Sequence, residues 1–314
     1  MSSNLINLIP DMVFPVIIPL MLVGLGGLFN ERSGVVNIGL EGLMTVGAFV
    51  GAVVSLEAHS IWLGGLAAIL VGGIFSLLHA FAAVSLRMDQ IVSGVILNIL
   101  GIGLAIYCCR SFYDDSETPS LPDSAIFFPV DLPSLRLWPI VGGFFSVKDF
   151  IVYPLFLLVL LSYFVLYRTA WGLRLRSVGE NPCAADSAGI SVKGMRYAGV
   201  VLGGMFAGLG GAFLSIVLNK HFSSTTVLGQ GFLALAILIF GKWRPLGVLL
   251  ASTFFGSAMA LKTESLVNFS SGGPVLSDII AMIPYLLTLL ALAGFVGKTE
   301  PPKAIGIAYD PEGR

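Results

Sequence analysis

Charge is scarce in this chain. Only 11% of its 314 residues are Asp, Glu, Lys or Arg, where a soluble domain carries about a quarter. Hydrophobic residues make up 56% and mean hydropathy is +0.93. A soluble enzyme is therefore a poor account of it. Lipid is the better solvent, because apolar runs of about 20 residues recur along the chain. The 17 basic residues are thinly spread and the net charge is −1, which excludes an electrostatic footprint for nucleic acid. Cys108, Cys109 and Cys183 are too few for a disulfide framework. His59, His79 and His221 are far apart, and no Cys or carboxylate joins them at ligand spacing, so no metal site is expected. No nucleophile and base stand at a catalytic spacing, so the chain reads as having no catalytic activity of its own. The opening MSSNLINLIPDMVF lacks the basic region of a cleaved signal peptide, so the first apolar stretch is expected to remain as a span.

What is present is a set of about nine apolar segments, at 10–28, 34–55, 61–85, 91–109, 150–167, 197–217, 229–241, 246–261 and 276–296. Unsatisfied amides are too costly in lipid, so these read as helices of an all-α polytopic membrane protein, one transmembrane domain over 1–314. The seventh and eighth are short and joined by Lys242-Trp243-Arg244-Pro245, where proline forces a turn, as a tight helical hairpin or a partly re-entrant pair.

Arg168, Arg174, Arg176, Lys193 and Arg196 cluster in one loop, 168–196. Under the nine-span count Arg87, Lys242, Arg244, Lys298 and Lys303 fall on the same side. Loop 110–149 lies opposite and is acidic, with Asp114, Asp115, Glu117, Asp123, Asp131 and Asp149. Cationic loops stay in the cytoplasm, so the N-terminus is expected outside, loop 110–149 outside, and the tail 298–314 inside. Prolines at 129, 133 and 139 argue against an extra span within 110–149.

A weak internal repeat runs through the apolar segments. Gly24-Leu25-Gly26-Gly27-Leu28-Phe29 resembles Gly208-Leu209-Gly210-Gly211-Ala212-Phe213, and Gly39-Leu40-Glu41-Gly42-Leu43 resembles Gly229-Gln230-Gly231-Phe232-Leu233. Chance is the competing account, since Gly and Leu are abundant. If the repeat is real it is inverted, with paired glycine-interrupted helices at the repeat interface, where transporters place substrate.

Glu41 is the sharpest anomaly. A charge near mid-span costs about 2.5–3.5 kcal/mol on insertion scales and is paired or lines a cavity. It has two readings: a pathway residue, or a structural carboxylate satisfied by Arg32 or by a helix N-terminus. Asn37 and Asn98 are the other strongly polar groups in or near spans, with interhelical hydrogen bonding as their plain explanation. With Gln230 from the second echo, these four form the candidate substrate-pathway set.

The loop RTAWGLRLRSVGENPCAADSAGISVKGMR is too polar for lipid. Glu180-Asn181-Pro182 reads as a helix start and Gly189 as its stop. A short surface helix bracketed by basic residues reads as a docking element, against an amphipathic loop that only touches headgroups. Gly297-Lys298-Thr299 imitates a phosphate loop, but Leu292 stands where that motif needs glycine. Asn268-Phe269-Ser270 is a formal sequon without supporting context.

Four stretches carry a resemblance: GLFNERSGVVNIGLEGLMTVGAFVG (27–51), MDQIVSGVILNIL (88–100), VGENPCAADSAGISVKGMR (178–196) and GQGFLALAILIFGKWRPLG (229–247). Together they resemble the permease subunit of bacterial ABC importers in the branched-chain amino acid and simple-sugar permease superfamily, most of all its nucleoside-type branch. The resemblance implies a location in the cytoplasmic (inner) membrane and two permease subunits around one pathway, more readily a heterodimer than a homodimer. It implies cytoplasmic ATPase subunits that hydrolyse ATP, so that no cofactor binds this chain, and an extracytoplasmic binding protein or lipoprotein. It also implies that Arg176, Val178, Gly179, Glu180, Asn181, Pro182, Ala184, Ala185, Gly189 and Ile190 belong to the ATPase-coupling segment. Nucleosides are the expected substrate, with riboflavin or simple sugars as alternatives. An ion-coupled secondary transporter using Glu41 as a relay is the competing class, and a channel-like or purely structural membrane protein is a third.

Overall fold

The computed structural model describes residues 2–122, 152–268, 282 and 300–310. Its helices are α1 (Ser2–Arg32), α2 (Leu40–Glu57), α3 (Ile61–Ala80), α4 (Gln90–Tyr113), α5 (Val152–Arg168), α6 (Ala170–Glu180), α7 (Pro182–Ser187), α8 (Val192–Phe213), α9 (Gln230–Phe240) and α10 (Pro245–Asn268). One π turn extends α3 through Ser85 and another extends α8 through Leu218. No strand occurs among the described residues; Glu117 and Ser223 form an isolated bridge.

The chain is an all-α, multi-pass membrane protein. Five described stretches are long and apolar enough to cross a membrane: Val13–Arg32, Leu40–Glu57, Ile61–Ser85, Gln90–Tyr113 and Val192–Leu218. A sixth arises if α5 and α6, bent by 74°, count as one broken span. Of the two helices expected to be short, α9 has 11 residues, whereas α10 has 24 and runs on to Asn268 rather than ending at 261. Segment 276–296, apart from residue 282, and loop residues 123–149 lie outside the described residues.

Burial ranks the helices. The apolar window of α1 is 83% buried, against 33% for α3 and α4, so α1 is central and the other two are peripheral. The outer faces of α3 and α4 expose Trp62, Leu66, Ile74, Ile91, Ile99 and Tyr107, apolar surface that suits lipid or another membrane chain. At the centre α8 packs on α1, α2 and α3. Small residues permit this: a Cβ on Gly47 would stand 2.5 Å from Gly208 Cα. The two glycine motifs also exchange partners. Gly24 of α1 faces Ala234 of α9 and Val248 of α10, whereas Gly208 of α8 faces Gly47 of α2 and Gly72 of α3.

Several boundaries differ from the sequence reading. The second span starts at Leu40 rather than 34, because Ser33–Gly39 follows an irregular buried path. α4 runs to Tyr113 and takes Arg110 out of the acidic loop. α8 starts at Val192, with Ser191 capping Gly194 N–H, so Lys193 and Arg196 are helical and most of loop 168–196 is α6 and α7.

Candidate functional site

An irregular backbone inside a membrane protein must have its amides satisfied by the protein. Residues 33–39 meet that demand through side chains from α3 and α4. Gln90 Oε1 accepts the Val36 N–H at 2.7 Å, and His79 Nε2 lies 2.9 Å from the Val36 carbonyl. Asn98 Nδ2 donates to the Ile38 carbonyl at 3.0 Å, while its Oδ1 accepts the Gly42 N–H at 2.7 Å. Asn37 Oδ1 accepts the Gly39 N–H at 2.9 Å. Asn37 and Asn98 thus satisfy amides at the start of α2. A Cβ on Gly42 would meet Asn98 Cα at 2.7 Å, so glycine there is what lets α4 approach.

One turn along, Glu41 repeats the device in the other direction. Its carboxylate accepts the N–H of Gly229 at 2.6 Å and that of Gly231 at 2.7 Å. These amides open α9, whose Gly229 adopts φ +84°. A helix N-terminus presents unpaired N–H groups and a positive dipole end, and charge-assisted bonds of this kind contribute about 1.5–3 kcal/mol each. The Gly39–Leu43 and Gly229–Leu233 echoes therefore meet in space, carboxylate to amides. Arg32 does not serve Glu41. The four candidate pathway residues lie around this junction, with Gln230 between the two donor glycines. Of these four, Asn37 Nδ2 and Gln230 Oε1 stay buried without a hydrogen-bond partner among the described residues, as does Nε2 of Gln90, which holds Val36.

Glu31 and Arg32, adjacent charges at the end of α1, both turn to Trp243. Glu31 is 7% exposed and accepts the indole N–H of Trp243 at 2.5 Å. The Arg32 guanidinium donates twice to the Trp243 carbonyl, at 2.7 and 3.0 Å, and stands 3.8 Å from Glu180. Arg32, Glu180, Lys242, Arg244 and Lys303 line one open cleft, so several of the cations read as sharing a side do share an end of the molecule.

The proposed coupling segment divides into two faces. Asn181 Oδ1 caps α7 by accepting the Ala184 N–H at 3.0 Å, Pro182 opens the helix, and Gly189 at φ +79° follows its end. Val178, Gly179 and Ala185 are buried, with Val178 and Ala185 packed against Val192 and Tyr309. Glu180, Asn181, Cys183, Ala184 and Gly189 face outward, and Ile190 is half-buried. Arg176 stacks over the Tyr167 ring at 4.7 Å.

Sequence reading missed His79, Gln90, Glu31, Trp243 and Arg196. The first two carried a signal, a polar side chain within or at the start of a long apolar helix. The carboxylate of Glu31 gave no hint of its partner 212 positions away. Among the described residues no cluster of metal-ligating side chains occurs.

Comparison with known proteins bears on what this architecture is. The guanosine ABC transporter permease protein NupQ of Bacillus subtilis (strain 168) is 45% identical over 93% of this chain and 92% of its own length. The nucleoside ABC transporter permease protein NupC of Lactococcus lactis subsp. cremoris (strain MG1363) is 39% identical over 98% of both. The putative glucose ABC transporter permease protein TsgC13 of Haloferax volcanii is 34% identical over 93% of this chain and 94% of its own. No solved structure matches the chain. The model of one family spans residues 9–292, and with these relatives it shows that the chain belongs to the family of branched-chain amino acid transport system permease components.

Proposed function

We propose that this chain is a membrane subunit of an ATP-driven importer that carries nucleosides inward across a bacterial cytoplasmic membrane. The observation that carries the reading is nearly full-length similarity to two permeases named for guanosine and for nucleosides. The relative named for glucose is less similar, which places sugars second.

In this reading the outward face of α7 docks a cytoplasmic ATPase subunit, which supplies ATP hydrolysis. Val178, Gly179 and Ala185 seat that helix rather than touch the partner. The end bearing Arg32, Lys242, Arg244 and Lys303 faces the cytoplasm, as cation-rich ends do, and the tail lies there too. An extracytoplasmic binding protein or lipoprotein delivers substrate, and a second permease completes the pathway as a heterodimer against the exposed apolar faces. Asn37 and Gln230, which keep a polar atom uncommitted, are better pathway candidates than Glu41 and Asn98, whose groups hold backbone.

Uptake of labelled guanosine into vesicles carrying the chain with its ATPase partner tests this. It is expected to require ATP and to be competed by nucleosides but not by glucose or riboflavin. Uptake driven by a proton or sodium gradient without any ATPase would establish the ion-coupled alternative instead.

A further inference from the structure

Residues 300–310 do not trail away from the molecule. The Ala304 N–H donates to the Gly179 carbonyl at 2.9 Å, at the end of α6, and the Gly306 N–H donates to the Gly34 carbonyl at 3.1 Å, in the turn after α1. The Ile307 carbonyl accepts from Arg196 of α8 at 2.9 Å. Tyr309 is buried among Val178, Ala185 and Val192, and Asp310 pairs with Arg87 of the α3–α4 turn at 3.0 Å. One short segment thus touches the coupling helices, the start of the irregular stretch, α8 and the α3–α4 turn.

Its position is specific. Arg196 is 1% exposed, and the bond to Ile307 employs a guanidinium whose other nitrogens have no hydrogen-bond partner among the described residues. Gly34 and Gly179 are in backbone contact beneath the segment: a Cβ on Gly34 would stand 3.4 Å from Gly179 Cα and 3.3 Å from the Ala304 carbonyl. The end of α6 is therefore clamped between the turn after α1 and residues 304–306. Beyond that turn lies the stretch 35–39, then Glu41 and its hold on α9.

We propose that residues 300–310 form a strap that transmits movement of the coupling helices to the α1–α2 turn, and through it to the Glu41–α9 junction. The inference rests on the docking role assigned above to α7. A packed, hydrogen-bonded connection of this kind moves two elements together: the end of α6 meets the turn at Gly34, and residues 304–306 hold that contact through the Gly179 and Gly34 carbonyls. The strap acts by positioning, so its loss affects coupling rather than docking.

The test compares the parent with Ala304→Pro, which removes one strap amide, and with a chain lacking residues 300–314. Each is reconstituted with the ATPase subunits, and uptake per ATP hydrolysed is measured. Both variants are expected to retain the ATPase subunits and basal hydrolysis within about twofold, while uptake per ATP falls by about tenfold, within the usual range for coupled sites. An unchanged ratio overturns the proposal, and so does loss of the ATPase subunits, which would make the segment part of the docking surface. Should the shortened chain fail to reach the membrane, Gly306→Ala decides by the same ratio, because φ +74° there disfavours alanine. ATP-independent uptake by the parent would sink the importer reading instead, so the two failures are distinguishable.

Discussion

Glu41 and Gly231 are 190 positions apart, and the carboxylate of one accepts the amide hydrogen of the other at 2.7 Å. With the Gly229 amide on the other carboxylate oxygen, the α2 carboxylate fixes where α9 begins. A Cβ on Gly231 would come within 2.5 Å of the Glu41 amide nitrogen, so the glycine is part of the contact. The charge in the apolar segment is thereby accounted for by helix-terminus chemistry on two helices that echo each other in sequence.

Glu41→Gln tests that account. Glutamine is neutral, offers one acceptor oxygen and turns an NH2 toward the other amide, so one bond loses its charge assistance and the other is replaced by a donor facing a donor. The expected cost is about 2–3 kcal/mol of stability, read as a lower melting temperature in detergent and a lower yield of assembled complex. Uptake per assembled complex is expected to persist. Unchanged stability with abolished uptake would give the carboxylate a role in the pathway.

A second prediction concerns the joint between α1 and the α9–α10 turn. Trp243→Phe leaves the buried Glu31 carboxyl without its indole donor, at a cost of about 1–3 kcal/mol. Replacing both partners removes the orphaned group, so Glu31→Leu with Trp243→Phe is expected to be less destabilised than the two single changes added together. Thermal unfolding of the four proteins measures the coupling. Strict additivity would mean that the 2.5 Å contact contributes nothing of its own.

The helices themselves were legible because lipid demands long apolar runs, and α3 with its π turn covers Ile61–Ser85 as its run does. The start of α2 was not, because Val35, Val36 and Ile38 look helical by composition. What holds them irregular is Gln90, His79 and Asn98 on other helices. The same limit applies at the site. Glu41, Asn37, Asn98 and Gln230 stood out as polar residues in grease, and they do gather. The partners of Glu41, Asn37 and Asn98 are backbone amides and carbonyls, however, which leave no trace in residue identity. The strap shows this most plainly: two of its anchors are the N–H groups of Ala304 and Gly306, to which Tyr309 and Asp310 add side chains.

Cys183 offers a direct check of orientation and docking together. It is exposed on the outward face of α7, whereas Cys109 is buried and Cys108 half-buried. A membrane-impermeant maleimide is expected to label Cys183 in inside-out vesicles and not in right-side-out ones. Bound ATPase subunits are expected to protect it. Labelling from the outside would reverse the topology, and labelling unaffected by the ATPase would move the docking surface elsewhere.

The two alanines of α7 separate seating from docking. Ala185 is 3% exposed and packed against Val178, Val192 and Tyr309, so Ala185→Trp overfills that pocket at a cost of about 1–3 kcal/mol. Ala184 faces outward, and a tryptophan there meets no neighbour in this chain's core. Ala184→Trp is therefore expected to leave the melting temperature of the isolated subunit unchanged, since surface substitutions stay within about 0.5 kcal/mol, while abolishing co-purification of the ATPase. Ala185→Trp is expected to lower the melting temperature whether or not the ATPase is present. If Ala184→Trp retains the ATPase at parental levels, the outward face of α7 is not the docking surface, and the division of the coupling segment into two faces loses its functional meaning.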